Sequence, residues 1–136
     1  MSVERANCKH SQLARFIYFS IAAIRQFLRR YNAEEGRDDK ITLLEALSAS
    51  GLRSIRYAKE IPGLADVVAN DFSRKAVESI ERNVSVNGVS DIVRASHADA
   101  AALMYSRRKA EDRFTIVDLD PYGSAAPFLN AAVQVR

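Results

Sequence analysis

The 136 residues predict an α/β fold, a parallel sheet with flanking helices that carries four strands of a doubly wound design. Three observations lead there. Short apolar runs alternate with helix-period segments from residue 41 onward, as strands linked by right-handed helical crossovers require. The runs are nearly continuous rather than alternating, which suits strands covered on both faces. Each run ends in a small-residue or acidic loop, at the strand end where open parallel sheets bind ligands.

Residues 1–19 show weak patterning and are expected to form a divergent, poorly ordered N-terminus, with the domain proper spanning 20–136. From Ser20 the spacing of Ile21, Ile24, Phe27, Leu28 and Tyr31 predicts a helix, with Arg25, Arg29 and Arg30 on its solvated side. Asn32 to Lys40 is polar, contains Gly36 and reads as a linker. Ile41 to Ala46 is the first strand, followed by the turn Leu47-Ser48-Ala49-Ser50-Gly51. Leu52 to Glu60 suits a helix that Pro62-Gly63 stops. Asp66 to Asn70 is the second strand, and Ser73 is placed to cap a helix reaching about Asn87, with Gly88 beyond it. Ile92 to Ala95 is a third strand, Ala101 to Arg108 a short helix, and Phe114 to Leu119 a fourth strand. Ala125 to Val135 is again helical. A complete sheet of this kind carries two or three more strands, so the last one is expected to leave an open flank.

Composition sets bounds on function. Apolar residues make up 48% and charged residues 27%, a globular rather than a disordered balance. A net charge of +3 is compatible with a polyanionic partner without requiring one. The single Cys8 has no internal disulfide partner, and Cys8, His10 and His97 lack metal-ligand spacing, so no metal is expected. The apolar segment Phe16 to Ile24 is far short of a membrane span, so no membrane association is expected. The basic, acid-poor stretch before Glu34 fits either a transit peptide or a basic helix, and the helix is favoured. The oligomeric state is open.

The candidate site residues all lie at carboxyl ends of strands. Strand one delivers Glu45 and the turn with Ser50 and Gly51; Gly51 permits a positive φ or a close approach to a ligand, and the next helix turns its N–H groups toward a carboxylate or phosphate. A plain strand-to-helix turn is the competing explanation. Strand two delivers Asp71, twenty residues after Gly51, a separation at which a carboxylate accepts both ribose hydroxyls of an adenosine-containing cofactor. The alternative is a carboxylate serving the dipole of the next helix. Strand three delivers Asp99 and Ala100, whose carboxylate and N–H match the adenine amino group and a ring nitrogen, or else form a helix cap.

Strand four delivers Asp118-Leu119-Asp120-Pro121-Tyr122-Gly123, the most specific feature. An exocyclic amine on a purine is a poor nucleophile, because its lone pair is delocalised into the ring. A carboxylate such as Asp120 that accepts from its N–H bonds favours the pyramidal, nucleophilic form and can take the proton as a methyl group moves. Tyr122 offers a stacking platform for an extruded base, and Pro121 fixes the backbone between them. A simple turn is the competing explanation. Arg53 and Arg56, on the helix after Gly51, either meet a cofactor carboxylate or phosphate or are merely solvated.

The strings Leu43-Leu44-Glu45-Ala46-Leu47-Ser48-Ala49-Ser50-Gly51-Leu52-Arg53-Ser54-Ile55-Arg56, Ala69-Asn70-Asp71 and Asp118-Leu119-Asp120-Pro121-Tyr122-Gly123-Ser124 together resemble the tRNA guanine-26 N2-dimethyltransferases, over about Ser20 to Arg136. The resemblance implies a partial Rossmann-like S-adenosylmethionine-dependent methyltransferase fold, S-adenosyl-L-methionine as cofactor and tRNA as partner. It implies that Asp71 holds the ribose, Asp99 and Ala100 the adenine, and that Asp120 is the catalytic acceptor with Pro121 and Tyr122 shaping the base pocket. It also implies an intracellular, nuclear or mitochondrial location. The chain departs from the family at Gln12 to Phe19, where an F-Y-N-P…N-R-D segment is expected, and it stops before the family's remaining strands and tRNA-engaging domain. A truncated chain holding the cofactor half-site, with little or no turnover alone, is therefore expected. Two other classes remain: a non-catalytic truncated isoform, and a dinucleotide-binding domain, which lacks its glycine fingerprint here and gives no reason for Asp120-Pro121-Tyr122.

Overall fold

A computed structural model describes residues 3–33 and 40–135, with side chains from residue 16 onward. The chain divides into two compact units, Met1–Asp38 and Asp39–Arg136. The first is a helix, α1 (Val3–Asn32). It begins seventeen residues before the expected start at Ser20, taking in the stretch that weak patterning suggested was disordered. No Gly or Pro occurs before Gly36, so nothing in the backbone chemistry interrupts helical hydrogen bonding. Phe27 and Tyr31, one turn apart, stack with ring centroids 5.5 Å apart. Most of the expected linker lies outside the described residues. Among those described, no helix is long and apolar enough to cross a membrane.

The second unit carries a four-stranded sheet in the order β3-β2-β1-β4, with every pairing parallel. Its elements are β1 (Ile41–Glu45), α2 (Leu52–Glu60), β2 (Leu64–Asp71), α3 (Arg74–Val86), β3 (Val93–His97), α4 (Ala100–Ser106), a 3₁₀ turn (Ala110–Asp112), β4 (Ile116–Asp118) and α5 (Ala126–Gln134). All four expected strands and their helices are present. β2 starts two residues early and β4 is shortened at both ends, because strand limits follow pairing with a neighbour rather than apolarity.

Side-chain alternation splits the core between two faces. Leu44, Ala46 and Val68 pack with Ala100, Met104, Phe114, Ala131 and Val135 on the face covered by α4 and α5. α2 and α3 pack against β2 and β3. The central strands are buried as expected, whereas the edge strands are covered only in part: Ile116, Val117 and Asp118 of β4 are all half-buried, and β3 buries only Val93. Gly88 closes α3 with φ +67°, the left-handed terminus expected of it. Ser73 does sit at the N-cap of α3, but its hydroxyl makes no capping bond. Asp71 supplies the acceptor instead, its Oδ1 taking the Ser73 N–H at 2.8 Å.

Candidate functional site at the carboxyl edge of the sheet

The sheet order places the turn after β1 in the middle of the carboxyl edge, with β2 and β3 on one side and β4 on the other. The turn Ser48-Ala49-Ser50-Gly51 is held from three directions. Ser48 donates its backbone N–H to the Asn70 carbonyl at 2.7 Å and its hydroxyl to the Glu45 carbonyl at 3.0 Å. Ala49, left-handed at φ +50°, donates its N–H to Asp71 Oδ2 at 2.9 Å. Asn83 of α3 donates to the Ser50 carbonyl at 2.9 Å. Gly51 adopts φ +76°, and a Cβ there would stand 3.2 Å from Ile80 Cγ2. The close approach that glycine permits here is therefore to α3, and it lets the turn lie flat on that helix.

Glu45 faces inward. It is 3% exposed, and its Oε2 accepts the Ser54 N–H at 3.0 Å and the Ser54 hydroxyl, so it caps the first turn of α2 from below. Burial pushes its pKa up to about 7; the Ser54 hydrogen bond opposes the rise and nearby Asp118 adds to it.

Asn70, fully buried, donates Nδ2 to the Ala46 and Ala98 carbonyls, each at 3.0 Å, and so ties the loops after β1 and β3 together across β2. Its Oδ1 is buried without a protein hydrogen-bond partner. Asp71, half-buried, spends one oxygen on the β1 turn and the other on the start of α3. Phe72 follows it with 74% of its surface exposed, and its carbonyl lies 3.0 Å from His97 Nε2. Asp99 caps α4, its Oδ1 accepting the Ala102 N–H at 2.8 Å, while Ala100 is buried.

On the other side of the turn, Asp118 ends β4 only 14% exposed. Tyr57 donates its hydroxyl to Asp118 Oδ2 at 2.6 Å, and Arg53 meets the same carboxylate through Nε (3.1 Å to Oδ2) and Nη2 (3.3 Å to Oδ1). Arg53 Nη1 pairs with Asp120, whose side chain is 52% exposed. Burial first, then the charge of Asp118, raises the Tyr57 pKa, so its phenol stays a donor. Pro121 is half-buried, and Tyr122 is wholly exposed, projecting from a loop that Gly123 turns at φ +96°.

The structure thus gathers Ser50, Gly51 and Asp71 around one turn, with Asp99 and Ala100 on the β3 side and Asp120, Pro121 and Tyr122 on the β4 side. Glu45 lies beneath the turn rather than on its surface. Arg56 is held along α2 by Glu60, with Nε 2.6 Å from Oε1. Sequence reasoning gave no role to Ser54, Tyr57, Asn70 and Phe72. Only Phe72 carried a signal, an aromatic residue directly after a candidate ribose-binding acid. Among the described residues no group of three or more His, Cys, Asp or Glu side chains is disposed to hold a metal.

A four-stranded parallel sheet in this order, with the candidate site residues gathered at its carboxyl edge, is a Rossmann-like domain of the methyltransferase type. The O-methyltransferase TomG from Streptomyces achromogenes shares that fold, with a TM-score of 0.61 over 85% of this chain and 59% of its own at 17% identity. Trm1 from Pyrococcus horikoshii, solved as a complex with S-adenosyl-L-methionine, is similar with a TM-score of 0.62 and 36% identity over 68% of this chain and 28% of its own. Residues 12–136 match the family model for N2,N2-dimethylguanosine tRNA methyltransferase, and the chain belongs to that family. The tRNA (guanine(26)-N(2))-dimethyltransferases of Mus musculus and Homo sapiens are 59% and 56% identical over 97 residues, 71% of this chain and 15% of each relative. The mitochondrial enzyme of Saccharomyces cerevisiae is 53% identical over 94 residues, 69% of the chain and 16% of the relative. The chain therefore spans about 15% of the length of these relatives. The family match begins at residue 12, earlier than the motifs alone indicated.

Proposed function

We propose that this chain forms the S-adenosyl-L-methionine-binding part of a methyltransferase that methylates the exocyclic N2 amine of guanine 26 in tRNA. The observation that carries the proposal is the division of the carboxyl edge by the β1 turn. Acids suited to a nucleoside, Asp71 and Asp99, lie on one side, and the Asp120-Pro121-Tyr122 loop lies on the other. A cofactor seated over the turn would face its acceptor base across it. The Pyrococcus relative, solved with S-adenosyl-L-methionine, supports the choice of cofactor.

The residues fit that cofactor. Each Asp71 oxygen accepts one N–H and keeps a lone pair for a ribose hydroxyl. Phe72 is an exposed aromatic face one residue away, suited to adenine, and Asp99 retains Oδ2 for the adenine amino group beside the Ala100 N–H. Ser50 and Gly51 line the turn, whereas Glu45 acts through it, holding α2 and the loop in place. S-adenosyl-L-methionine supplies an electrophilic methyl group when bound.

On the acceptor side, Tyr122 stacks on the base and Pro121 keeps the loop from swinging. Asp120 would accept from the N2 amine, raise the nitrogen's nucleophilicity and receive the proton as the methyl group passes from the cofactor's sulfur to the nitrogen, the sulfur leaving as a neutral thioether. tRNA is thus the partner. The family's eukaryotic members and the mitochondrial yeast relative favour a nuclear or mitochondrial site of action.

The experiment joins the chain to the C-terminal region of a full-length relative and compares tRNA transcripts carrying guanine or inosine at position 26, since inosine lacks the N2 amine. Label from methyl-tagged cofactor is expected at N2 of the guanine transcript and not in the inosine one. Equal labelling of both, or label on another atom, would overturn the assignment.

A further inference from the structure

By its position on α2, Arg53 is open to a cofactor carboxylate, a nucleic-acid phosphate or plain solvation. It is neither solvated nor turned toward the nucleoside side. The side chain is 13% exposed, and its guanidinium spans two carboxylates of the β4 end, gripping Asp118 through Nε and Nη2 and reaching Asp120 through Nη1. The grip is anchored. Asp118 is additionally fixed by the buried Tyr57 hydroxyl, and Arg53 Nε lies 3.2 Å from that same oxygen. Arg53 and Tyr57 are one turn apart on α2, whose first turn is capped by Glu45.

Two carboxylates ending one strand repel each other, and only one of them, Asp120, stands in the open. A planar cation with donors along two edges can serve both at once; a point charge cannot keep that geometry. We propose that Arg53 is a positioning residue that holds the Asp120 carboxylate at the acceptor side of the site, with Asp118 and Tyr57 as its fixed end. The inference rests on the proposed role of Asp120. It deepens that role by assigning Arg53 to the methyl-accepting side rather than to the cofactor. The juxtaposition is Arg53 between a buried acid and an exposed acid two residues apart.

The test is arginine side-chain NMR on the intact chain, alongside S-adenosyl-L-methionine titration, with single-turnover transfer to a guanine-26 transcript read on the chain joined to the C-terminal region of a full-length relative. Arg53 should show resolved, slowly exchanging Nη resonances. Asp120→Asn should merge them while the Nε–H, held by Asp118 and Tyr57, stays as it was. Arg53→Lys should leave the cofactor Kd within about twofold and slow transfer by about tenfold or more, without raising the tRNA concentration needed for half-maximal rate. Resonances indifferent to Asp120→Asn overturn the proposal, and that arm leaves Arg53 itself untouched, so it reads out even if Arg53→Lys fails to fold. A cofactor affinity about tenfold weaker in Arg53→Lys also overturns it, by returning Arg53 to the cofactor side. Transfer lost in Asp120→Asn but normal in Arg53→Lys sinks the inference and leaves the proposed function standing. Transfer that survives Asp120→Asn sinks the catalytic role of Asp120 itself.

Discussion

Glu45 accepts both the backbone N–H and the hydroxyl of Ser54, nine residues further along the chain, and does so with 3% of its surface exposed. One buried carboxyl therefore joins the end of β1 to the first turn of α2, across the loop on which the site is built.

This placement makes the stability of the domain depend on pH. The folded state raises the Glu45 pKa from 4.5 to about 7, chiefly by burial, so folding favours the protonated form. The stabilisation is complete below about pH 4.5 and is lost as pH rises through the folded value of about 7, amounting to about 3 kcal/mol. Glu45→Gln copies the neutral acid. Thermal melts should show the variant gaining on the parent from about pH 5 to about pH 7 and levelling off above it; a constant difference from pH 5 to pH 7 would contradict the buried placement.

Gly51 is constrained twice, by its left-handed φ and by Ile80 against its α-carbon. Gly51→Ala should cost about 1–3 kcal/mol in denaturant unfolding, part from the backbone and part from the contact. Ile80→Ala removes both Cγ atoms that obstruct the new methyl group, so the double variant should lose less than the two single losses summed. Strict additivity would show that only the dihedral angle matters.

Tyr122 touches nothing that would stabilise the fold, since its ring is wholly exposed. Tyr122→Ala should melt with the parent protein, while methyl transfer by the chain joined to a relative's C-terminal region falls by about tenfold, the loss of one stacked base. A lowered melting temperature would mean that the ring packs on the protein instead.

Much of the fold was legible before any coordinates. Val67-Val68-Ala69 and Leu43-Leu44 announce buried strands, and Pro62-Gly63 and Gly88 mark where helices stop. Local chemistry suffices for such features. The start of α1 was missed because an apolar stripe was required of it, whereas an unbroken run without Gly or Pro already permits a helix. The cluster of Arg53, Tyr57 and Asp118 was invisible for a different reason. Asp118 lies more than sixty residues beyond Arg53 and Tyr57, and only the β1–β4 pairing brings α2 beside the end of β4. Asn70 was likewise hidden, because its two acceptors belong to loops on either side of its own strand. Asp71 and Asp120 could be named in advance because strand ends are where parallel sheets bind ligands; what holds them in place could not.

The most direct measurement is calorimetric titration of the chain with S-adenosyl-L-methionine, with NAD as control and Asp71→Ala as comparison. The account predicts binding of S-adenosyl-L-methionine and not of NAD, weakened by about tenfold or more when Asp71 loses its carboxylate. Asp71 also anchors the β1 turn, so the variant's fold is verified by circular dichroism in the same buffer. A folded chain that ignores S-adenosyl-L-methionine, or binds it equally well without the Asp71 carboxylate, would contradict the placement of the cofactor over this turn.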